Sequence, residues 1–337
     1  MTRLRRILLF ALLAVIVLLV AGISLTIGWR PFIGPRARPT TSRKFESTPQ
    51  RVERGKYIFN ALSACNVCHS QHDYTKHGAP VIAGTEGAGQ VIPFRGLPGR
   101  VVAPNITPDM ETGSGRWTDD QLARAIREGI GHDGRALFPL MPYGEYKALS
   151  DEDIASLVVY LRTLPPVRHE LPKTEIIFPV KYLIRTAPQP ITTAVPMPDK
   201  SDSAKYQAYL VKVAGCYFCH TPQEHGQVIA GMDFAGGNVF SEGPKDAAAA
   251  NLTPDPSGIG YYDESLFLQA MRTGYVKARE LSSIMPFGVY QNLNDDDLKA
   301  MFAYLKNLKP VKHRVDNNEP PTFCRLCGQT HGAGNQN

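Results

Sequence analysis

Two short segments of the 337-residue chain carry the same pattern of cysteine and histidine, at Cys65–His69 (CNVCH) and Cys216–His220 (CYFCH). In a Cys-x-x-Cys-His segment, two thiols form thioether bonds to the vinyl groups of a porphyrin, and the adjacent imidazole binds the iron. A redox-active disulfide or a pair of zinc ligands has the same cysteine spacing. Repetition of the whole pattern favours two covalently attached c-type haems. The predicted attachment residues are Cys65, Cys68, His69, Cys216, Cys219 and His220.

The sixth ligand of each iron decides whether the haem only transfers electrons or also binds and converts other molecules. A methionine raises the reduction potential and keeps other molecules off the iron, whereas an open site favours catalysis or gas binding. Of the eight methionines, Met141 and Met285 alone occupy matching places, each directly before a proline. Methionines commonly fill gaps in a core, but the repetition favours ligation. We therefore predict that His69 and Met141 bind one iron, and that His220 and Met285 bind the other.

Other basic side chains are weaker candidates for contacts with the haems. His169 and His313 match each other beyond the last helix of each half, where they reach a haem edge or, alternatively, cap a helix C-terminus. Arg95, Arg100 and Arg116 are candidates for pairing with haem propionates, with a solvated surface position as the alternative for each.

Further segments recur in the same order in the two halves. Asn105–Asp109 (NITPD) matches Asn251–Asp255 (NLTPD), and the MPYG segment at Met141 matches the MPFG segment at Met285. Such repetition indicates a duplicated unit, here of roughly one hundred residues with one haem per copy. Each copy shows three helix signals, among them a capping box at Thr118. The predicted helices begin near residues 54 and 205, at Thr118 and Asp263, and at Ser150 and Asn294. Three short helices and Gly/Pro-rich loops around each haem predict an all-α fold.

The N-terminus predicts a membrane anchor. Ile7–Ile27 is a 21-residue stretch without charge, and a helix of that length spans roughly 30 Å, the thickness of a bilayer core. Arginines precede it, and Trp29 follows it as an interfacial residue does. The alternative, a cleaved signal peptide, has a shorter apolar region and a small-residue cleavage site. Because c-type haem is attached outside the cytoplasmic membrane, we expect a single-pass anchor in a bacterial cytoplasmic membrane, with periplasmic haem domains.

Several motifs together resemble the cytochrome c subunits of membrane-bound alcohol and gluconate dehydrogenases. They are the two CxxCH segments, NITPD, GRWTD at Gly115–Asp119, LMPY at Leu140–Tyr143 and LSDED at Leu149–Asp153, and the resemblance extends over residues 50–315. It implies two tandem class I cytochrome c-like domains that relay electrons from a dehydrogenase subunit towards quinone or a terminal oxidase. The best-known members of that family have three haem domains and no retained anchor, so the resemblance does not specify the electron donor here.

These observations predict a modular chain. Its parts are residues 1–30 as membrane anchor, 31–49 as juxtamembrane linker, 50–167 as cytochrome c domain 1, 168–203 as a Pro-rich strap, 204–315 as cytochrome c domain 2, and 316–337 as a C-terminal tail. The expected partners are the membrane and redox proteins: a dehydrogenase subunit, a quinol-oxidising complex or a terminal oxidase. The net charge of +6 is dispersed and lacks basic runs interleaved with aromatics, so nucleic-acid binding is not expected.

The predicted function is electron transfer in a respiratory chain rather than catalysis. The alternatives are a dihaem enzyme, such as a peroxidase or a sulfur-compound dehydrogenase with one labile iron ligand, and a haem-based sensor or assembly factor. The tail carries a third cysteine pair, Cys324 and Cys327, but Gly328 stands where a haem motif has histidine. His331 adds a third donor and the tail offers no fourth, so a disulfide is favoured over a metal site there.

Overall fold

A computed structural model describes residues 3–224, 226–242 and 245–332. This part of the chain is largely helical, and long loops join the helices. Its α-helices are α1 (Arg3–Leu25), α2 (Arg30–Ile33), α3 (Pro49–Tyr57), α4 (Cys65–His69), α5 (Asp119–Glu128), α6 (Tyr143–Tyr146), α7 (Asp151–Thr163), α8 (Val180–Leu183), α9 (Ser203–Val213), α10 (Cys216–His220), α11 (Glu264–Thr273), α12 (Phe287–Tyr290) and α13 (Asp295–Lys306). A π-helical turn, Ile58–Leu62, continues α3.

Short antiparallel strand pairs lie in the loops. The pairs are β1 (Gln90–Val91) with β3 (Val102–Ala103), β2 (Gly99–Arg100) with β4 (Glu175–Ile176), β5 (Gln223–Glu224) with β6 (Gln227–Val228), β7 (Val239–Glu242) with β8 (Lys245–Ala248), β9 (Tyr275–Val276) with β10 (Arg279–Glu280), and β11 (Thr322–Phe323) with β12 (Thr330–His331). The predicted all-α class is therefore only partly right. Buried backbone N–H and C=O groups need hydrogen-bond partners, and in these long loops some of them find partners by forming short antiparallel strand pairs.

The helices of the two halves start at matching polar caps. Thr118 caps α5 in the predicted capping box, and Asp263 caps α11. Ser150 and Asn294 cap α7 and α13, again as predicted. The first helices begin earlier than expected, at Pro49 and Ser203, because the Thr48 and Asp202 side chains accept N–H bonds that stabilise those ends.

A continuous apolar core joins the two halves. In the first half α3 crosses α7 so closely that a Cβ on Gly55 would lie 2.0 Å from the carbonyl oxygen of Ser156, which only glycine permits. In the second half α9 packs on α13. Phe59 and Leu157 from the first half belong to the same buried cluster as Leu210 and Leu298 from the second. The halves therefore share one hydrophobic core.

Two buried aspartates, the third residues of α7 and α13, bind side chains across the junction of the halves. Asp153 accepts two hydrogen bonds from Arg54, at 2.8 and 2.7 Å, and one from the hydroxyl of Tyr209 in the other half. Asp297 accepts hydrogen bonds from tyrosines of both halves, Tyr57 at 2.6 Å and Tyr206 at 2.9 Å. The first turns of α7 and α13 thus hold the two halves together through hydrogen bonds.

A more exposed contact links the loop after the first attachment helix to the second half. His77 faces the Glu280 carboxylate at 2.7 Å through Nδ1, and the Thr273 carbonyl at 2.7 Å through Nε2. Its ring also stacks on Tyr275. The hydrogen bond to the Thr273 carbonyl, followed by the bond to Glu280, raises the pKa of His77 above its usual 6.5.

The apolar N-terminal helix leads into a segment held against the first half. The most apolar 18-residue window of α1 has a mean hydropathy of 3.1, and none of it is buried. The helix is long and apolar enough to cross a membrane, and a signal sequence has the same character. After it, Arg38 pairs with Asp120 at 2.7 Å and with Glu128 at 2.8 Å. The N–H of Thr41 also donates to Asp120 at 2.6 Å. Residues 31–49 therefore connect α1 to the folded part through specific contacts.

The Pro-rich segment between the halves also lies along the first half. Strand β4 pairs with β2, and the Thr174 hydroxyl accepts the N–H of Val102 at 3.0 Å. Farther along, the N–H of Asp151 donates to the carbonyl of Val195 at 2.8 Å. The segment is anchored at both ends rather than free.

We expect Asp153, which has an ion pair, to contribute more to stability than Asp297, which accepts hydrogen bonds from neutral tyrosine hydroxyls. Asp153→Asn leaves Arg54 without its carboxylate and should lower the free energy of unfolding by about 2–3 kcal/mol, below the usual loss for a fully buried pair because Arg54 is partly exposed. Asp297→Asn should cost about 1 kcal/mol, because the amide oxygen still accepts a hydrogen bond and no cation loses its partner. Guanidinium unfolding followed by circular dichroism measures both, and equal losses would contradict the ranking.

The raised pKa of His77 makes its contact pH-dependent. The protonated ring donates from both nitrogens, so its contribution to stability is complete below pH 6.5 and is lost as the pH rises through the raised folded-state value. His77→Gln should therefore flatten the decline of the thermal midpoint between mildly acidic and mildly alkaline pH. His132→Gln is the control, since His132 stacks on Trp117 away from this junction. An unchanged pH profile in His77→Gln would contradict the assignment.

Candidate haem-binding sites

Both Cys-x-x-Cys-His segments fold as one helical turn, in α4 and α10. A residue in the left-handed region precedes each turn, Ala64 with φ 46° and Gly215 with φ 74°. Burial raises the pKa of the thiols, to about 12 for Cys65 and about 11 for Cys68, and to about 12 for the pair in α10. A raised pKa disfavours the thiolate, which is the form that reacts in a redox-active disulfide.

The histidine of each motif is fixed by a backbone carbonyl. His69 Nδ1 lies 2.9 Å from the carbonyl oxygen of Pro104, and His220 Nδ1 lies 2.7 Å from that of Ala250. A carbonyl only accepts, so Nδ1 carries the proton and Nε2 keeps its lone pair. Burial also lowers the pKa of both histidines, which keeps the rings neutral. Each ring can therefore accept a metal ion at Nε2.

The repeated Asn-x-Thr segments hold those carbonyls in place. Asn105 follows Pro104 directly; its amide donates to the carbonyl of Val167 at 2.7 Å, and its side-chain oxygen accepts the Thr107 hydroxyl at 2.7 Å. The second half repeats both bonds at 2.8 Å, where Asn251 donates to the Val311 carbonyl and accepts the hydroxyl of Thr253. The NITPD and NLTPD motifs thus position the acceptors of the two histidines.

The methionine-bearing loops are tied to the attachment turns by tyrosines. Met141 and Met285 are partly buried against the main core. Five residues after each, the hydroxyl of Tyr146 donates to the carbonyl of Ser63 and that of Tyr290 to the carbonyl of Ala214, both at 2.6 Å. These carbonyls lie two residues before the first cysteine of each motif. The sequence analysis missed both tyrosines, although the recurring Met-Pro-x-Gly-x-Tyr pattern contains them.

The donor sets fit c-type haem rather than zinc. Among the residues that the structure describes, one group of at least three His, Cys, Asp or Glu donors converges within 4.8 Å, and it consists of His313 and three residues of the C-terminal tail. The two thiols and the imidazole of each CxxCH turn do not converge in this way. Two thiols on one turn, an imidazole whose Nδ1 bonds a carbonyl, and a methionine loop tied to that turn match the attachment and ligation of c-type haem.

The two sites adjoin each other across the junction of the halves. The Cys68 thiol acts electrostatically on Cys219 and contributes to its raised pKa, after the larger effect of burial. Tyr146 of the first half lies within electrostatic range of Cys219 as well as of Cys65. The attachment turns are therefore neighbours in space although 151 positions separate Cys65 from Cys216.

Several of the residues that were weaker candidates for haem contacts have partners within the protein. His169 Nδ1 lies 2.9 Å from the carbonyl oxygen of Ala88. Arg95 pairs with Asp246 at 2.5 Å, and Arg100 pairs with Glu175 at 2.9 Å. Arg116 is exposed. Arg95 and Arg100 therefore have carboxylate partners in the protein, and His313 lies beside the two cysteines of the tail.

Comparison with known proteins supports the class that the sites define. Residues 52–165 match the cytochrome c family model, so this part of the chain is a cytochrome c domain. The chain is 30% identical over 276 residues to the alcohol dehydrogenase (quinone) cytochrome c subunit of Gluconobacter oxydans, covering 77% of this chain and 55% of that protein. It is 29% identical over 297 residues to the fructose dehydrogenase cytochrome subunit of Gluconobacter japonicus, covering 82% and 56% respectively.

A third relative has a length closer to that of this chain. The diheme cytochrome c-type protein of Cereibacter sphaeroides is 27% identical over 276 residues, covering 80% of this chain and 89% of that protein. The chain thus spans about half the length of the alcohol and fructose dehydrogenase subunits. The predicted resemblance to dehydrogenase cytochrome c subunits is confirmed, and these relatives are named as cytochromes, the class expected of an electron carrier.

Removing the tyrosine hydroxyls should loosen the methionine loops. Tyr146→Phe and Tyr290→Phe each leave a buried carbonyl without its partner, which should lower the free energy of unfolding by about 1–2 kcal/mol. Burial raises the pKa of both phenols well above their usual range, so the donors persist at every pH of interest. Chemical unfolding measures the loss, with Tyr182→Phe on the exposed strap as the control. A loss no larger than in that control would contradict the role.

Proposed function

We propose that this chain is a membrane-anchored dihaem electron carrier. Its two class I cytochrome c-like domains span residues 50–167 and 204–315, each with one c-type haem. The main support is a set of contacts that repeats around the two CxxCH turns, here called the frame. In each half, the histidine Nδ1 lies 2.9 or 2.7 Å from a backbone carbonyl oxygen, and a tyrosine hydroxyl after the methionine donates to a carbonyl before the turn at 2.6 Å. The same frame occurring twice supports two sites of the same kind.

The proposed ligands follow from this frame. Cys65 and Cys68 attach one haem, and Cys216 and Cys219 the other; the axial pairs are His69 with Met141 and His220 with Met285. When bound, such a haem takes up and releases one electron between its ferric and ferrous forms.

The protein residues tune that exchange. The Nδ1–H bonds of His69 and His220 make their Nε2 atoms better ligands. Thioether ligation by Met141 and Met285 raises the potential and excludes substrates from the metal. The closeness of Cys68 to Cys219 supports electron transfer between the two domains.

We propose that α1 is a retained, single-pass anchor and that the haem domains face the periplasm. The contacts of Arg38 bring the end of α1 close to the first domain. Nearby, the side chain of Arg185, just after α8, donates to the carbonyl of Pro31 at 2.9 Å, which places the strap beside α2. Phe32 and Phe178 are exposed on these two segments, and exposed aromatic rings at the foot of a membrane helix suit the interfacial region.

The proposed partners are redox proteins. The names of two relatives connect them with alcohol and fructose dehydrogenases. By that likeness, a dehydrogenase subunit or a quinol donor reduces this chain, and a quinol-oxidising complex or a terminal oxidase of the respiratory chain takes the electrons.

Carbon monoxide tests the closed coordination of both irons. We expect the reduced, detergent-solubilised protein to show no haem spectral shift with carbon monoxide at neutral pH, because a strong sixth ligand blocks each iron. Met141→Leu and Met285→Leu preserve volume but remove the thioether, so each variant should bind carbon monoxide on about half of its haem and show a lowered potential at that site. Met110→Leu is the control, since Met110 is exposed.

A shift on about half the haem in the unmodified protein would refute the carrier-only proposal. That result would favour the dihaem-enzyme alternative, and peroxide and sulfur oxyanions would be the substrates to test. A variant that remains closed to carbon monoxide would refute ligation by the methionine it lacks.

A further inference from the structure

The C-terminal tail folds back as a hairpin that gathers three metal-binding side chains. Cys324 directly follows β11, Cys327 lies in the turn, and His331 ends β12. The N–H of Cys324 donates to the carbonyl of Gln329 at 2.8 Å, and the N–H of Gly328 donates to the carbonyl of Cys324 at 3.0 Å. These bonds close the turn that holds both cysteines.

A fourth donor comes from outside the tail. His313 follows α13, and one ligand atom from each of His313, Cys324, Cys327 and His331 lies within 4.8 Å of the others. The sequence analysis favoured a disulfide because the expected compartment is oxidising and the tail lacks a fourth metal ligand. That reasoning was incomplete, since folding brings His313 to the tail, and both cysteines are free thiols in the structure.

Both histidines present Nε2 to the sulfurs. His313 Nδ1 lies 2.8 Å from the carbonyl oxygen of Ala235, and His331 Nδ1 lies 3.3 Å from that of Arg314, so each ring can carry its proton on Nδ1. His313 Nε2 is 3.3 Å from the sulfur of Cys324, and His331 Nε2 is 3.1 Å from that of Cys327. In tetrahedral zinc, bonds of about 2.3 Å to sulfur and about 2.0–2.1 Å to nitrogen separate such atoms by about 3.6 Å. These two pairs therefore need outward shifts of a few tenths of an ångström, and the most widely separated of the four ligand atoms, within 4.8 Å of each other, need to approach.

The residues around the four donors resemble those of a structural zinc site, in which protein ligands fill every position on the metal. His313, Cys327 and His331 are buried, and Met232 and Ala235 form an apolar cluster with Cys327. Two thiolates balance the charge of a divalent ion, so the occupied site is neutral and suits an apolar environment. Four protein ligands leave no open position, which is typical of structural rather than catalytic zinc.

At Gly237 the backbone comes so close to the cluster that a side chain would not fit. Gly237 has φ +103°, and a Cβ there would lie 2.8 Å from the His313 ring and 3.2 Å from the sulfur of Cys327. Its neighbour Gly236 donates its N–H to the carbonyl of His220 at 2.7 Å. A short backbone segment therefore connects the cluster to the histidine of the second CxxCH turn.

We propose that His313, Cys324, Cys327 and His331 bind one Zn²⁺ ion that fastens the tail to the second half of the chain. The first half provides an internal comparison. His169 occupies the position equivalent to His313 and makes the same Nδ1 contact, to the Ala88 carbonyl, but the strap that follows it contains no cysteine. The tail therefore converts a repeated structural histidine into a metal ligand in one half only.

Metal analysis of the full-length protein in detergent, with both haems and a histidine-free tag, tests the proposal. We expect about one zinc per chain in addition to haem iron, and less than about a tenth of that in Cys327→Ser and His313→Ala, because loss of one of four ligands opens the site. His169→Ala should keep its zinc. Haem content reports whether each variant has folded, and it also separates this test from that of the electron-carrier proposal.

A second measurement uses the unmodified protein alone. Bound zinc should protect Cys324 and Cys327 from alkylation by iodoacetamide until a chelator removes the metal, after which both thiols react. Protein without zinc, in which mass spectrometry finds a Cys324–Cys327 disulfide, would overturn the proposal. A stoichiometric metal other than zinc in this cluster would overturn the zinc assignment.

Discussion

The hydrogen bond from a buried histidine Nδ1–H to a backbone carbonyl organises each half of this protein. His69 and His220 are useful as ligands only if their Nε2 atoms stay unprotonated and aimed, and the carbonyls of Pro104 and Ala250 enforce both conditions. Those carbonyls are held by the Asn-x-Thr loops, whose amides in turn bind the segment after the last helix of each half. A motif far from the cysteines in sequence therefore supports the ligand beside them.

Duplication of one unit explains why the two halves contain matching helices and contacts. The two halves repeat the same caps, the same histidine contacts and the same tyrosine contacts, and they share one core with buried aspartates bridging the junction. After the last helix the halves diverge. His169 leads into a strap that crosses the first half, whereas His313 meets a tail with two cysteines and a further histidine. The same local geometry thus serves packing in one half and offers a metal site in the other.

The segment that follows the apolar helix is part of the fold. Arg38 binds it to Asp120 and Glu128 of α5, so the chain leaves α1 through specific contacts with the first half rather than through a loose linker. The second turn adjoins the first across the junction. A fixed path from the membrane end to the second half is therefore part of the fold.

The sequence by itself determined the features that depend on local chemistry. CxxCH, the capping residues and the long apolar helix each act through neighbours a few positions away, so their residue types and spacing suffice to predict them. The repeat of Met141 and Met285 selected two methionines out of eight. It did not reveal that Tyr146 and Tyr290 hold their loops, because the recurring pattern contains the tyrosines but not the carbonyls, about eighty positions away, that they bind. Strand pairs in the loops were missed for a similar reason, since strands of two to four residues are too short to show a period. Only the tertiary structure brought His313 to the tail cysteines: its distance to Cys324 depends on how α13 and the hairpin pack, and packing over that range is decided by the whole core rather than by spacing along the chain.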